Sequence, residues 1–210
     1  MSINSLGRSE VRDLIERRME EFEKLGRNGK TTFNFRPFLN LKIKATIVTE
    51  LAFCISTANS SALAGLKFQK SLEGLDLHDL SVEDIEKLMR NAGVRFAKRK
   101  AKYLKLALER FEIVDRSLSF EDFQARNVLL SVKGFGMKES SHFLRNVGRK
   151  DIAILDRHVL RWLEHKGYNF KPRDYLKAEE VLRRIARDNG LSLAELDLII
   201  WFEINGKVLK

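Results

Sequence analysis

The chain has 210 residues, 44% apolar and 32% charged, enough to bury a sizeable core as one or two domains and too apolar for intrinsic disorder. Lys and Arg outnumber Asp and Glu 39 to 29, and a formal charge of +10 favours a polyanionic partner, nucleic acid first, through phosphate neutralisation and counterion release. A single cysteine, Cys54, excludes an intramolecular disulfide framework and any four-cysteine zinc or iron–sulfur site. It sits in the apolar run LAFCI, where it reads as a small buried hydrophobe without a catalytic role.

The opening stretch, MSINSLGRSEVRDLIERRMEE, has no apolar signal core, and no later run reaches the roughly 18 apolar residues of a membrane helix, so a cytoplasmic protein with no membrane partner is expected. Helical periodicity dominates and predicts an all-α fold. An amphipathic helix runs from about Glu10 to Leu25, followed by a loop, GRNGKTTFNFRPF, and an apolar helix from about Ile43 to Ala58. Ser81 with Asp84 caps the helix SVEDIEKLMRNAG, which Gly93 closes. In VRFAKRKAKYLKLALERF, helical spacing puts Lys98, Lys102 and Lys105 near one side, with Phe96, Leu104, Leu108 and Phe111 inward. That basic side is either a solvated face or a DNA-facing one. Further helices are expected over about 120–131, 138–147, 157–166, 175–188 and 193–205.

The chemistry concentrates between Val132 and Asp156. Gly134-Phe135-Gly136 forms a tight turn between two helices, where glycines permit positive φ and close backbone approach while amides at the next helix N-terminus make an anion site. A DNA phosphate held there would fix register without reading sequence. Lys138 stands at the start of the second helix, where the helix dipole disfavours an ammonium and favours a neutral, nucleophilic amine. Asp156 closes the run AILD ahead of RHVLRWLEH. It is placed to cap that helix, worth about 1 kcal/mol, and a carboxylate held by such amide bonds can also stabilise positive charge on a deoxyribose whose base is leaving.

VKGFGMK, then a helix, then ILDRHVLR resembles the helix-hairpin-helix DNA glycosylase superfamily that includes endonuclease III. TELAFCISTANSSA, GVRFAKRKAKYL, GMKESSHFLRNVG and the final WFEINGKVLK resemble, more closely, the compact 8-oxoguanine DNA glycosylase/AP lyase family of archaea and thermophilic bacteria, over nearly all the chain after about residue 40. The resemblance implies two helical subdomains with a cleft between them: a central one over 43–147, with the helix-hairpin-helix at about 119–147, and a second joining 1–42 to 148–210. It also implies a lyase that extrudes the damaged nucleotide from double-stranded DNA, since a base inside a duplex is unreachable. Lys138 would attack the sugar while Asp156 stabilises the charge, giving a Schiff base whose β-elimination cuts the strand at the abasic site. Asn59, in TANSSA, would enter the vacated space and contact the orphaned base.

Trp201 offers a stacking face for the base and Phe96 a possible second one, though at helical spacing either can equally be core. Lys210, last in the sequence, offers an ammonium and a terminal carboxylate for reading the oxidised guanine, as the resembled family implies. His142, His158 and His165 have no ligand-pair spacing, so neither a metal nor another cofactor is expected. A monomer acting on the nucleoid is expected. Two other readings remain open at this point: an endonuclease III-like enzyme for oxidised pyrimidines, and a non-catalytic helix-hairpin-helix DNA-binding module, which would need neither Lys138 nor Asp156.

Overall fold

Residues 9–210 are described by the structure, a computed structural model of the chain; residues 1–8, part of the stretch read above for a signal segment, lie outside the described residues. Helix α1 (Ser9–Asn28) buries Val11, Ile15, Met19, Phe22 and Leu25 at the three- and four-residue spacing of an amphipathic helix. Two short strands follow, β1 (Lys30–Asn34) and β2 (Lys42–Thr46), paired antiparallel with Thr32 opposite Lys44. They correct the expectation of a plain loop here and of a helix starting near Ile43. KTTFN and KIKAT alternate with period two, burying Thr31 and Phe33 from one strand and Ile43 and Ala45 from the other.

Thr46 ends the sheet by capping α2 (Ile47–Thr57): its hydroxyl accepts the Thr49 amide, and the Thr49 hydroxyl accepts the Thr46 amide. The remaining helices are α3 (Ala62–Ser71), α4 (Val82–Asn91), α5 (Ala97–Glu109), α6 (Phe111–Ser117), α7 (Asp122–Leu129), α8 (Met137–Asn146), α9 (Arg157–His165), α10 (Tyr175–Asp188) after a 3-10 turn (Pro172–Asp174), and α11 (Leu193–Asn205). The all-α class holds, with the hairpin β1–β2 as its one departure among the described residues. The Ser81–Asp84 cap of α4 forms as expected, and Gly93 turns the chain at φ +78°.

Helix α5 departs from its predicted pattern at two residues, Phe96 and Lys105. Leu104 and Leu108 are buried, but Phe96 precedes the helix in the left-handed region, φ 59°, and its ring is 52% exposed. Lys98 and Lys102 are exposed, whereas the Lys105 ammonium donates to the carbonyls of His78 and Leu80 and so ties down the connection before α4.

Buried side chains form two clusters. The larger draws on α1 to α8 and both strands; the smaller gathers Leu155, Val159, Leu163, Ala178 and Leu182 from the chain around α9 and α10. Helix α11 serves both, giving Ala194, Leu198 and Ile199 to the larger and Leu193, Leu196 and Ile200 to the smaller. A helix packed on two sides has no polar stripe to spare, which accounts for the run LAELDLIIWFEI. Between α7 and α10, Arg126 Nη1 and Glu179 Oε2 form a buried ion pair at 2.5 Å. Breaking such a pair from one side would strand a buried charge.

Candidate active site

The hairpin joins α7 to α8 as expected, and its two glycines do different work. Gly134 has φ +98°, which demands glycine, and a Cβ there would also crowd the Tyr103 side chain at 3.1 Å. Gly136, at φ −110°, is extended backbone. Its amide donates to Glu139 Oε2 at 3.3 Å, the Phe135 amide donates to the Val132 carbonyl at 3.0 Å, and the Phe135 ring packs inward beside Phe143. Two of the three amides expected to meet a phosphate therefore have acceptors within the protein. First-turn amides of a helix such as α8 have no carbonyl partner within the helix.

Lys138, the second residue of α8, lines a cleft of about 710 Å³ together with Asp156, Asn59, Trp201 and Lys210. Its side chain is 24% exposed and its ammonium lies 3.4 Å from Glu139 Oε1. Asp156 is the N-cap of α9, as the sequence suggests, accepting the amides of His158 at 2.8 Å and Val159 at 2.9 Å. Both bonds fall on Oδ1, so the cap leaves Oδ2 for other partners. Capping and a role in the cleft are compatible in this geometry.

Asn59 turns the chain between α2 and α3 at φ 54°. The turn is pinned from α5: Lys100 donates to the Ser56 carbonyl and the Ser60 hydroxyl, and the Arg95 amide donates to the same hydroxyl. Burial, helped by the charges of Lys138, Arg95 and Arg99, pushes the Lys100 amine down to about 8. Trp201 presents its ring beside His158, 5.8 Å between centroids and nearly perpendicular, and its buried indole N–H has no hydrogen-bond partner among the described residues. Phe96 is not among the residues lining the cleft. The guanidinium groups of Arg95 and Arg99 lie over its ring, 5.4 and 5.2 Å from the centroid.

Lys210 is placed differently from the expectation of an ammonium offered to a base. Its side chain is wholly buried, with Nζ 2.5 Å from Glu50 Oε2, 2.6 Å from Gln69 Oε1 and above the rings of Phe33 and Phe53. Burial pushes this amine down to about 8 against the pull of Glu50. Glu50 also accepts from Gln69 and Asn146, so its charge is fully enclosed by donors. What Lys210 shows to the cleft is its main chain.

Three further residues of the cleft carry charge or polarity that motif reading passed over. His142 and Arg145 follow Lys138 on α8 at the spacing of one and two turns, and both are buried. Burial, with the charges of Arg145, Lys138 and Lys210, holds the His142 ring well below the usual histidine range, against an opposing hydrogen bond to the Lys210 main chain. Arg145 meets Asp197 at 3.5 Å, and its Nε and Nη1 have no hydrogen-bond partner among the described residues. Burial raises the Asp197 carboxyl to about 6, opposed by Arg145 and assisted by Asp156. Asp197 precedes Trp201 by one turn of α11, and an acid among the apolar residues of that helix was the available signal. A second groove of similar size, about 700 Å³, lies between the β1–β2 hairpin and the start of α4's connection and gathers no comparable set. Among the described residues no group of three or more His, Cys, Asp or Glu could hold a metal, and no helix is long and apolar enough to cross a membrane.

A helical fold with a glycine hairpin feeding a lysine–aspartate cleft defines a protein of the helix-hairpin-helix DNA glycosylase class. The sequence pattern of the family described as 8-oxoguanine DNA glycosylase matches residues 15–191. The 8-oxoguanine DNA glycosylase/AP lyase of Aquifex aeolicus is 44% identical over 96% of this chain and 95% of its own length. The crystal structure of the 8-oxoguanine DNA glycosylase of Thermotoga maritima superimposes with a TM-score of 0.83 at 34% identity, covering 97% of this chain and 94% of that one. The Methanocaldococcus jannaschii 8-oxoguanine glycosylase/lyase, solved with a 15mer DNA containing 8-oxoguanine, gives 0.82 at 38% identity, covering 99% and 97%. The chain belongs to the 8-oxoguanine DNA glycosylase family.

Proposed function

We propose that this protein is a bifunctional DNA-repair enzyme that excises 8-oxoguanine from double-stranded DNA and then cleaves the abasic site. The observation that carries the reading is that Lys138 and Asp156, each at the start of a helix, line one cleft with an aromatic face, Trp201, beside them. The damaged nucleotide leaves the stack, at a cost of roughly a few kcal/mol, and Asn59, on its pinned turn, enters the space it vacates. The first-turn amides of α8, with the Gly134–Phe135–Gly136 turn shaping their approach, hold a backbone phosphate near the lesion.

In the chemical step the nitrogen lone pair of Lys138 bonds to the sugar C1′ as the base departs with the electron pair of the glycosidic bond. Asp156 stabilises the positive charge that develops on the sugar. Loss of the amine's extra proton and opening of the sugar ring give a Schiff base, and removal of a C2′ proton then expels the 3′ phosphate, cutting the strand 3′ of the lesion. Trp201 stacks on the base, and Lys210 contributes to reading it through its main chain, the ammonium being committed to Glu50. Phe96, outside the cleft, has no place in the base pocket and faces the duplex. The working form proposed is a monomer on the nucleoid.

The test is incision of duplexes each carrying one defined lesion, with borohydride present to trap the Schiff base. Incision and trapping with 8-oxoguanine are expected. Activity confined to a duplex with an oxidised thymine would transfer the enzyme to the oxidised-pyrimidine class, and binding without incision or trapping would reduce it to a DNA-binding module.

A further inference from the structure

Tyr175, the first residue of α10, belongs to no motif and is not among the residues lining the cleft, yet its hydroxyl meets the main chain beside both proposed catalytic residues. The hydroxyl donates to the Ala153 carbonyl at 2.8 Å and accepts from the Leu155 amide at 3.3 Å. Leu155 is the neighbour of Asp156. On its other side the same oxygen lies 3.1 Å from the Ser141 hydroxyl and 3.4 Å from the carbonyl of Met137, the neighbour of Lys138. The Ser141 hydroxyl has one proton, which it gives either to this oxygen or to that Met137 carbonyl at 2.8 Å; because the phenol's own proton is on the Ala153 carbonyl, the bridge to α8 is the bond that Ser141 donates to Tyr175. One oxygen therefore couples the first turn of α8 to the extended segment that ends in Asp156.

The ring is held independently of its hydroxyl. One turn along α10, Glu179 is locked in the buried ion pair with Arg126, whose guanidinium also lies over the Tyr175 ring at 5.7 Å and donates to Ser141. Burial raises the phenol's pKa, so it remains a hydroxyl, able to donate and accept at once, throughout the working pH range. The segment that leads from α8 to Asp156, 148–155, has no regular structure, so the cap on α9 fixes Asp156 to its own helix while nothing regular in the connection fixes it relative to Lys138. We propose that Tyr175 is a positioning residue that sets the separation of Lys138 and Asp156 by bridging the backbone segments that carry them. The inference rests on the catalytic roles proposed for that pair.

The experiment is single-turnover excision of 8-oxoguanine by Tyr175→Phe, well below the melting temperatures of variant and wild type, with the Kd for a duplex carrying an uncleavable abasic analogue measured beside it. Misplacing a reacting group by about an ångström costs on the order of a hundredfold in rate, so excision should slow about ten- to a hundredfold with Kd nearly unchanged. Trapping on a preformed abasic site, where no base has to leave against Asp156, should slow less. In an Asp156→Asn background the phenylalanine should cost far less than in the wild type, because both changes act on one relationship. Wild-type excision by Tyr175→Phe, or losses that multiply fully in the double variant, would overturn the proposal even if the melting temperature falls. Should Tyr175→Phe not fold, Ser141→Ala takes its place: slower excision at unchanged Kd supports the bridge, and wild-type excision overturns it. Lys138→Gln, run alongside, tests the underlying reading, which falls if that variant still traps; if it does not trap while Tyr175→Phe is wild-type, only the positioning role fails.

Discussion

Lys210 and Glu50, separated by 160 residues in sequence, bring Nζ and Oε2 within 2.5 Å of each other in the middle of the larger core. The end of the chain is thereby anchored by a charge pair, and the lysine's main chain is held at the cleft. Lys210→Met keeps that main chain while leaving the Glu50 carboxylate buried, with Gln69 and Asn146 as its remaining donors among the described residues. The expected cost is about 3–5 kcal/mol, the usual consequence of stranding one member of a buried pair, and Glu50→Leu combined with it should restore much of the loss. Denaturant unfolding checks both. Deleting Lys210 would confound anchoring with base reading, because it removes the two together. Unchanged stability in Lys210→Met would mean that the pair is not formed in solution.

Lys138→Gln removes the proposed nucleophile from a partly exposed position whose ion-pair partner, Glu139, still has the Gly136 amide to accept. Stability should change by less than about 0.5 kcal/mol, as for surface substitutions generally. Borohydride trapping and strand incision should both disappear while DNA binding persists. Trapping at the wild-type level would assign the Schiff base to another amine.

Asp156→Asn retains an oxygen that can accept the amides of His158 and Val159, so the cap should survive with a loss of no more than about 1 kcal/mol. Base release depends on the charge and should fall by about two orders of magnitude or more, the scale seen when an oriented electrostatic group is removed from a reacting centre. Single-turnover excision against thermal melting separates the two effects. A large drop in melting temperature with normal excision would make Asp156 a structural cap alone.

Lys138 and Asp156 were legible in the sequence because each begins a helix, and helix starts are written locally, in a glycine turn before one and an AILD run before the other. The β1–β2 hairpin was not, because each strand is only five residues long and the second runs straight into an apolar helix whose period masks it. Phe96 was placed inward by extending helical spacing one residue past a left-handed break that no local signal marks. The direction of the Lys210 side chain could not be read at all: it is decided by Glu50 and Gln69, which tertiary folding alone brings near. Glu50 and Asp197 were visible as anomalies, acids inside the apolar runs TELAFCI and ELDLIIW, and a buried acid needs a cationic or hydrogen-bonding partner. Tyr175 had no such mark.

The basic charge and the exposed Lys98, Lys102 and Arg99 on α5 beside the pinned Asn59 turn predict a backbone-dominated footprint. Binding should weaken linearly in log K against log salt, with a slope of about −0.9 per phosphate neutralised on a duplex. The slope should be nearly the same for 8-oxoguanine and guanine duplexes, because phosphate contacts carry no information about the base. Fluorescence anisotropy over a range of potassium chloride concentrations measures it, and a flat plot would remove the electrostatic footprint.

Lys100 makes the last prediction, since it is the amine that pins the Asn59 turn and burial brings it down to about 8 from an ordinary 10.5. Between those two values the folded protein has released the proton while the unfolded chain still holds it. Stability rises with pH wherever the unfolded state binds more protons, so this group's contribution grows as pH climbs from about 8 towards 10.5. In Lys100→Met the titrating group is gone, and the wild-type minus variant difference in unfolding free energy isolates it from the other lysines. That difference should increase between pH 7.5 and 9.5, by up to about 1.4 kcal/mol per pH unit where the two protonation states differ fully. The same variant should also loosen the turn carrying Asn59, lowering excision from a duplex more than cleavage of a preformed abasic site, in which no base remains to be extruded. A difference that stays level or falls with pH would mean that the amine keeps its ordinary affinity for protons and is less enclosed in solution than its two hydrogen bonds indicate.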